Sequence, residues 1–230
     1  MKKNKNIILV VAAHPDDEVL GCGGTIAKYK KEKNSVNVLF VSDGETSRPL
    51  SKAKILSKIN NRKKKAINAA KILGINKTFF LDLPDNRLDA YPLLEIVKKI
   101  EFYISLVKPN IVFTHFKNDL NIDHQIVNNA VVTACRPQKK NSVKSIFFFE
   151  VPSSTEWKIN SKYENFNPNW FEDISKTKNL KLKALKAYTS EIRKWPHPRS
   201  ERAVKALMEW RGATAGLDAA EAFVLARNIK

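Results

Sequence analysis

A chain of 230 residues, 43% of them apolar, can bury one substantial core and reads as an ordinary soluble globular sequence. Its formal net charge of +18 raises the question of nucleic acid, but the lysines are spread along the chain, with local runs only at 30–33 and 62–65, and no strand interleaves them with aromatics as RNA-binding sheets do. Two cysteines, Cys22 and Cys135, make no disulfide framework, and no apolar run approaches the roughly 20 residues that cross a bilayer.

The basic start MKKNK followed by IILVVAA imitates a short signal peptide. The apolar run is too short for one and leads straight into charge, so a buried strand is expected at 7–13. Further strands are expected at 36–42, 77–81, 110–114 and 145–150, separated by helices at about 19–33, 52–73, 92–107 and 123–135. Gly74 and Pro109 stand just beyond two of these helices, where stop signals belong. Short β-branched runs alternating with amphipathic segments imply an α/β fold: a Rossmann-like, doubly wound, mostly parallel sheet flanked by helices. Beyond residue 150 the character changes. A stretch from Pro152 to Pro168, rich in Ser, Asn and aromatics, reads as a long loop, followed by helices near 178–190, 200–212 and 218–227. The expected organisation is a catalytic α/β core over 1–150, with a loop and helical C-terminal extension over 151–230 packed on the same domain.

The first strand ends in His14-Pro15-Asp16-Asp17-Glu18, one imidazole and three carboxylates in five positions. Sites of open parallel sheets form beyond the carboxyl ends of their strands. His14, preceding a proline, should continue the strand while Pro15 begins a turn. Asp16 and Asp17 then make good helix caps. Capping alone does not explain so many carboxylates, because burying them together without a cation is costly. Imidazole with nearby carboxylate suits zinc, and a catalytic zinc needs only three protein ligands. His14 and Asp17 are spaced to aim at one point, which leaves Asp16 free to take a proton from water.

The remaining histidines are His115, His124 and His197. The segment VFTHFKNDLNIDHQIVNNAV runs from the fourth strand into a helix, with Asn121, Asp123 and His124 at its N-terminal turn. That turn lies at the same edge of the sheet, so His124 can meet His14 in space.

HPDDE after an apolar strand, with a later DH pair opening a helix, resembles the PIG-L/LmbE family of zinc-dependent N-deacetylases, which act on N-acetylglucosamine-type sugars in several linked forms. The resemblance extends through SDGETSR, the helix with Arg62 ending in ILG, LPDNRLD, NDLNIDH and HPRSERAV. It implies Zn2+, or another divalent ion, on His14, Asp17 and His124, with Asp16 as general base. Members often carry a histidine three positions before the ligand histidine; this chain has Asn121 there. His197, in WPHPRS, is the candidate to replace it, and His115 is a weaker one. Asn121 and Asp123 are retained as catalytic candidates. Asp85 with Arg62 is expected to contact sugar hydroxyls or the linked group, and Arg48, Arg136, Arg199 and Arg202 are candidate anion clamps.

Gly21, Gly23 and Gly24 miss the spacing of a nucleotide loop and fit close helix-to-sheet packing. The expected function is a cytoplasmic deacetylase of an N-acetylated amino sugar, carried on a nucleotide or another anionic group, with no nucleic-acid partner, no transmembrane segment and room for a homo-oligomer. The alternatives are a metal-dependent hydrolase of another amide or of a phosphoester, and a basic binding module without turnover.

Overall fold

The computed structural model describes residues 5–49, 51–138, 143–159 and 165–230; the basic start at 1–4 and residues 160–164 of the expected loop lie outside them. In chain order its elements are β1 (Ile7–Ala12), α1 (Asp17–Lys31), β2 (Ser35–Ser42), α2 (Lys52–Leu73), β3 (Lys77–Leu83), α3 (Leu93–Val107), β4 (Ile111–His115), α4 (Ile122–Ala134) and β5 (Ser145–Phe149). There follow β6 (Trp170–Asp173), α5 (Lys178–Leu185), α6 (Glu201–Thr214) and β7 (Ala220–Asn228). The strands form one sheet in the order β3-β2-β1-β4-β5-β7-β6, with β1 to β5 parallel and β7 antiparallel to both neighbours.

β1 is apolar at every position because both of its faces are covered. Ile8, Val10 and Ala12 point into one core with residues of α1, α2 and α5, while Leu9 and Val11 point into the other with α3 and α4. β1 therefore sits mid-sheet, and its order reverses between β1 and β4, so the loops after these two strands face each other across a crevice. α2 ends as expected at Gly74, whose φ of 77° is the left-handed conformation of a helix stop.

The helix expected at 218–227 is instead the strand β7. Its Ala-rich sequence favours a helix locally, but the segment is inserted between β5 and β6, pairing Phe149 with Phe223 and Glu172 with Glu221. Tertiary pairing overrides the local preference. The expected helix at 178–190 is shorter, closing with a 3₁₀ turn at Lys186–Tyr188. The C-terminal region thus extends the sheet as well as adding helices.

α1 is broken at Cys22 (φ −146°, ψ 24°). A break leaves backbone groups without partners, and β7 and α5 supply them. Glu221 accepts from the Gly24 and Thr25 N–H groups at 2.9 and 2.7 Å, and Lys181 Nζ donates to Leu20 O at 2.8 Å and to Glu221 at 2.5 Å. The packing here is close: a Cβ on Gly21 would stand 2.3 Å from Phe149 Cδ2.

Candidate metal centre

The turn from β1 to α1 presents His14, Asp16 and Asp17, all buried. Asp16 has φ 134° and ψ −27°, a region that costs a non-glycine residue about 1–3 kcal/mol. The turn is held by its own neighbours: the Asp16 N–H donates to Glu18 Oε2 at 3.0 Å, and the Asp16 carbonyl accepts from Val19 and Leu20 N–H groups. Asp17 Oδ2 accepts the His14 N–H at 2.9 Å and lies 3.2 Å from His14 Nδ1 and 3.3 Å from His124 Nε2. His124 comes from the first turn of α4, beyond the end of β4, and its ring centroid is 5.4 Å from that of His14. Two turns more than a hundred residues apart in sequence therefore converge.

Among the described residues, two sets of three groups have atoms within 4.8 Å of one another, His14–Asp17–His124 and His14–Asp85–Asp123. The hydrogen bonds distinguish them. Asp123 already accepts backbone N–H groups from Leu88 at 3.1 Å and Asn86 at 2.8 Å, and its Oδ2 stands 3.1 Å from His14 Nε2. In the first set, Asp17 Oδ1 and His124 Nε2 are buried without a hydrogen-bond partner among the described residues. With Nε2 of His14 facing Asp123 and Asp85, its Nδ1 is the nitrogen turned to Asp17. His14, Asp17 and His124 thus fit a divalent ion.

The electrostatics agree. Burial works against protonating His124, but Asp17 and Asp119 outweigh it and hold its pKa up at about 9. Burial likewise opposes a proton on His14, and hydrogen bonds to Asp123, Asp17 and Asp85 raise it well above the ordinary imidazole value. These carboxylates make a potential that retains protons, which is the potential a cation would meet.

His115, expected as a weaker candidate, is a packing partner. Its Nε2 accepts the Ala13 N–H at 2.8 Å, and its ring stacks on His124 at 3.9 Å. Burial and the neighbouring His124 push its pKa well below the usual value, so it is neutral. Asn121 caps α4, accepting the Asp123 N–H at 2.8 Å, and its amide donates to Asn86 Oδ1 at 3.1 Å. Asp119 was not singled out in the sequence. It lies 3.1 Å from His124 Nδ1 and accepts hydrogen bonds from Ser154 and Thr155. Burial raises its pKa, but His124 and the two hydroxyls bring it down to about 2. An acid in the loop feeding the DH pair was the available signal.

Above the centre opens a polar cleft of about 180 Å3, whose lining includes His14, Asp16, Arg48, Asp85, Asn121 and Arg199. Asp85 faces His14 Nε2 at 3.0 Å and accepts from Ser47. Arg48, partly exposed, lies 3.4 Å from Glu45 and 3.6 Å from Glu191. Arg62 lines the cleft too, but the contacts of its guanidinium depart from those expected of a substrate-facing group. It is buried, with Nε donating to Pro15 O at 3.1 Å, Nη1 near Glu45 and Glu191 at 3.1 and 3.0 Å, and Nη2 3.4 Å from Asp16 Oδ1. Its donors are occupied by protein acceptors, so it braces the Asp16 turn from within. His197 also departs from expectation: it is not part of the cleft lining, its Nδ1 accepts the Arg199 N–H at 3.0 Å, and its ring meets Trp157 at 5.5 Å. Arg199, two residues on, is what reaches the centre.

The model of the PIG-L family, described as GlcNAc-PI de-N-acetylase, matches residues 9–135. The chain is 28% identical over 189 residues to the uncharacterized deacetylase YaiS of Escherichia coli strain K12, covering 80% of this chain and 90% of that protein. It is 26% identical to the probable N-acetyl-alpha-D-glucosaminyl L-malate deacetylase 2 of Bacillus subtilis strain 168, covering 81% and 84%. The crystal structure of a conserved protein from Thermus thermophilus superposes with a TM-score of 0.76 at 27% identity, covering 98% of this chain and 96% of that one.

Proposed function

Since this chain belongs to the PIG-L family and is a deacetylase, a hydrolase of amide bonds, we propose that it removes the N-acetyl group of an amino sugar carried on an anionic group, with zinc held by His14, Asp17 and His124. The observation that carries the reading is the convergence of these three side chains, with Asp17 Oδ1 and His124 Nε2 buried and without a hydrogen-bond partner among the described residues, beside the carboxylate of Asp16. Zinc bound there supplies a Lewis acid that acidifies water and polarises an amide carbonyl.

The chain's own residues do the rest. Asp16 takes the proton of the attacking water and returns it to the departing amine. Its Oδ2 accepts from Arg199 at 3.0 Å, whereas its Oδ1, 3.4 Å from Arg62 Nη2, makes no hydrogen bond among the described residues and is left to accept the proton. Asp123 and Asp85 on His14, and Asp119 on His124, fix which ring nitrogen each imidazole turns inward. Ser47, Asp85, Asn86 and Asn121 surround the cleft with donors and acceptors suited to sugar hydroxyls. Arg48, the most loosely tied guanidinium there, is the group for a carboxylate or phosphate on the carrier.

The relative from Bacillus subtilis is named for a sugar joined to malate, an anionic conjugate, which supports this substrate class. Two buried free cysteines support a reducing, cytoplasmic working place. No helix among the described residues is long and apolar enough to cross a membrane. The test is acetate release by zinc-loaded protein from free, lipid-linked, thiol-linked and nucleotide-linked N-acetyl sugars. An anionic conjugate should be the best substrate. Phosphate release without acetate would favour a phosphoesterase, and no product from any conjugate by fully metallated protein would refute the proposal.

A further inference from the structure

We propose that Arg199 is a positioning residue for Asp16: it engages one carboxylate oxygen and thereby presents the other to the attacking water. The inference rests on the hydrolytic reading of the site and assigns a role to the C-terminal segment.

Asp16 is a strained residue in need of ties, since its φ of 134° is one that side chains other than glycine rarely adopt. Two guanidiniums hold its carboxylate. Arg62 reaches Oδ1 only at 3.4 Å, with its other donors directed at Pro15 O, Glu45 and Glu191. Arg199 Nη1 donates to Oδ2 at 3.0 Å, the one true hydrogen bond on this carboxylate among those described. Arg199 is itself fixed by the loop beyond β5, its Nε donating to Ser153 Oγ at 2.7 Å and lying 3.4 Å from Pro152 O. Its backbone N–H donates to His197 Nδ1. The guanidinium is therefore a strut from a separate part of the chain to the side chain that handles the proton. A planar fork suits this task because one nitrogen can be anchored on the loop while another meets the carboxylate. Without the strut, rotation about the side-chain bonds of Asp16 exchanges its two oxygens, and the acceptor no longer faces the water in a fixed direction.

The experiment compares R199A and R199K with wild type for kcat, KM, bound metal and thermal midpoint, with crystal structures of both variants. In R199A, kcat should fall about 10- to 100-fold, the usual cost of removing a group that orients a site residue. Metal content should hold and KM should stay within about twofold. R199K should recover part of the loss, and added guanidinium should raise kcat of R199A saturably. On a D16N background, R199A should cost little more, because its action passes through Asp16. The R199A crystal structure should show the Asp16 carboxylate turned away from its wild-type direction. Wild-type kcat in R199A, a change confined to KM, or an unmoved Asp16 carboxylate would each overturn the proposal. Should R199A fail to fold, R199K decides by the same criteria. If wild type releases no acetate from any sugar, the hydrolytic reading fails, while the orientation of Asp16 in the variant still decides this one.

Discussion

Asp17 and Asp16 are chemically identical neighbours given opposite company by the fold. Asp17 lies against three imidazoles, those of His14, His115 and His124, whereas Asp16 lies against two guanidiniums, those of Arg62 and Arg199. Burial raises the pKa of Asp17, but His124 and His14 overcome it and hold the carboxyl well below the usual range. Burial also raises that of Asp16, and here it prevails over Arg199 and Arg62. One acid is suited to a metal and the other to a proton, a division of labour that environment alone creates. Asp16→Asn should therefore bind metal as the wild type does and lose about two to four orders of magnitude in kcat; metal analysis beside turnover checks it. His124→Ala should lose the metal, and full zinc occupancy in that variant would remove it from the ligand set. Asp119→Asn should weaken zinc affinity about 10- to 100-fold, read by competition with a chelator, because it stands behind His124. HPDDE and the DH pair were legible in the sequence because so many acids beside an imidazole make little sense without a cation. Asp119, Glu45 and Glu191 were not singled out as site residues, and Arg199 was read only as a candidate anion clamp rather than as a partner of Asp16, because an acid or arginine in a loop acquires its meaning only from what the fold sets against it.

At the scale of elements, the first helix is packed closely on both sides. α1 must pass close over β5 and under the segment before α5, and small residues at Gly21 and Gly24 allow it: a Cβ on Gly24 would stand 2.7 Å from Ile174 Cδ1. The break at Cys22 is closed by the buried pair of Lys181 and Glu221. Removing one member of such a pair leaves an uncompensated charge at a cost of about 3–5 kcal/mol. Glu221→Gln should therefore lower stability by about that amount in urea unfolding, and a loss under about 1 kcal/mol would mean that Lys181 finds water. Elements β1 to β5 and α1 to α4 were read within a few residues, because continuous apolar runs and amphipathic stretches each have one natural reading in a covered parallel sheet. β7 escaped because its alanines favour a helix until a strand on either side claims its backbone.

The whole molecule sets a strong positive charge around a site of dense local negative charge. A formal net charge of +18 creates a long-range field that draws anions and fades with salt. The kcat/KM for an anionic sugar conjugate should fall as ionic strength rises, while that for the neutral free sugar should stay flat. Equal salt dependence for the two would separate the charge from substrate capture. The same architecture lets a cleft lined by Asp16 and Asp85 meet an anion, since Arg48 and Arg199 line it as well.

The interior placement of β7 has a consequence for biosynthesis. While the chain is still emerging from the ribosome, β5 is an open margin with its hydrogen-bonding groups bare, and the break in α1 awaits an acid not yet translated. The nascent protein can assemble the crevice and its imidazoles early, yet it remains unfinished and prone to pairing with a stranger's strand until synthesis has delivered residues 220–228. Ribosome-stalled chains ending before Ala220 should accordingly bind chaperone and aggregate on release, whereas chains stalled with β7 clear of the exit tunnel should not.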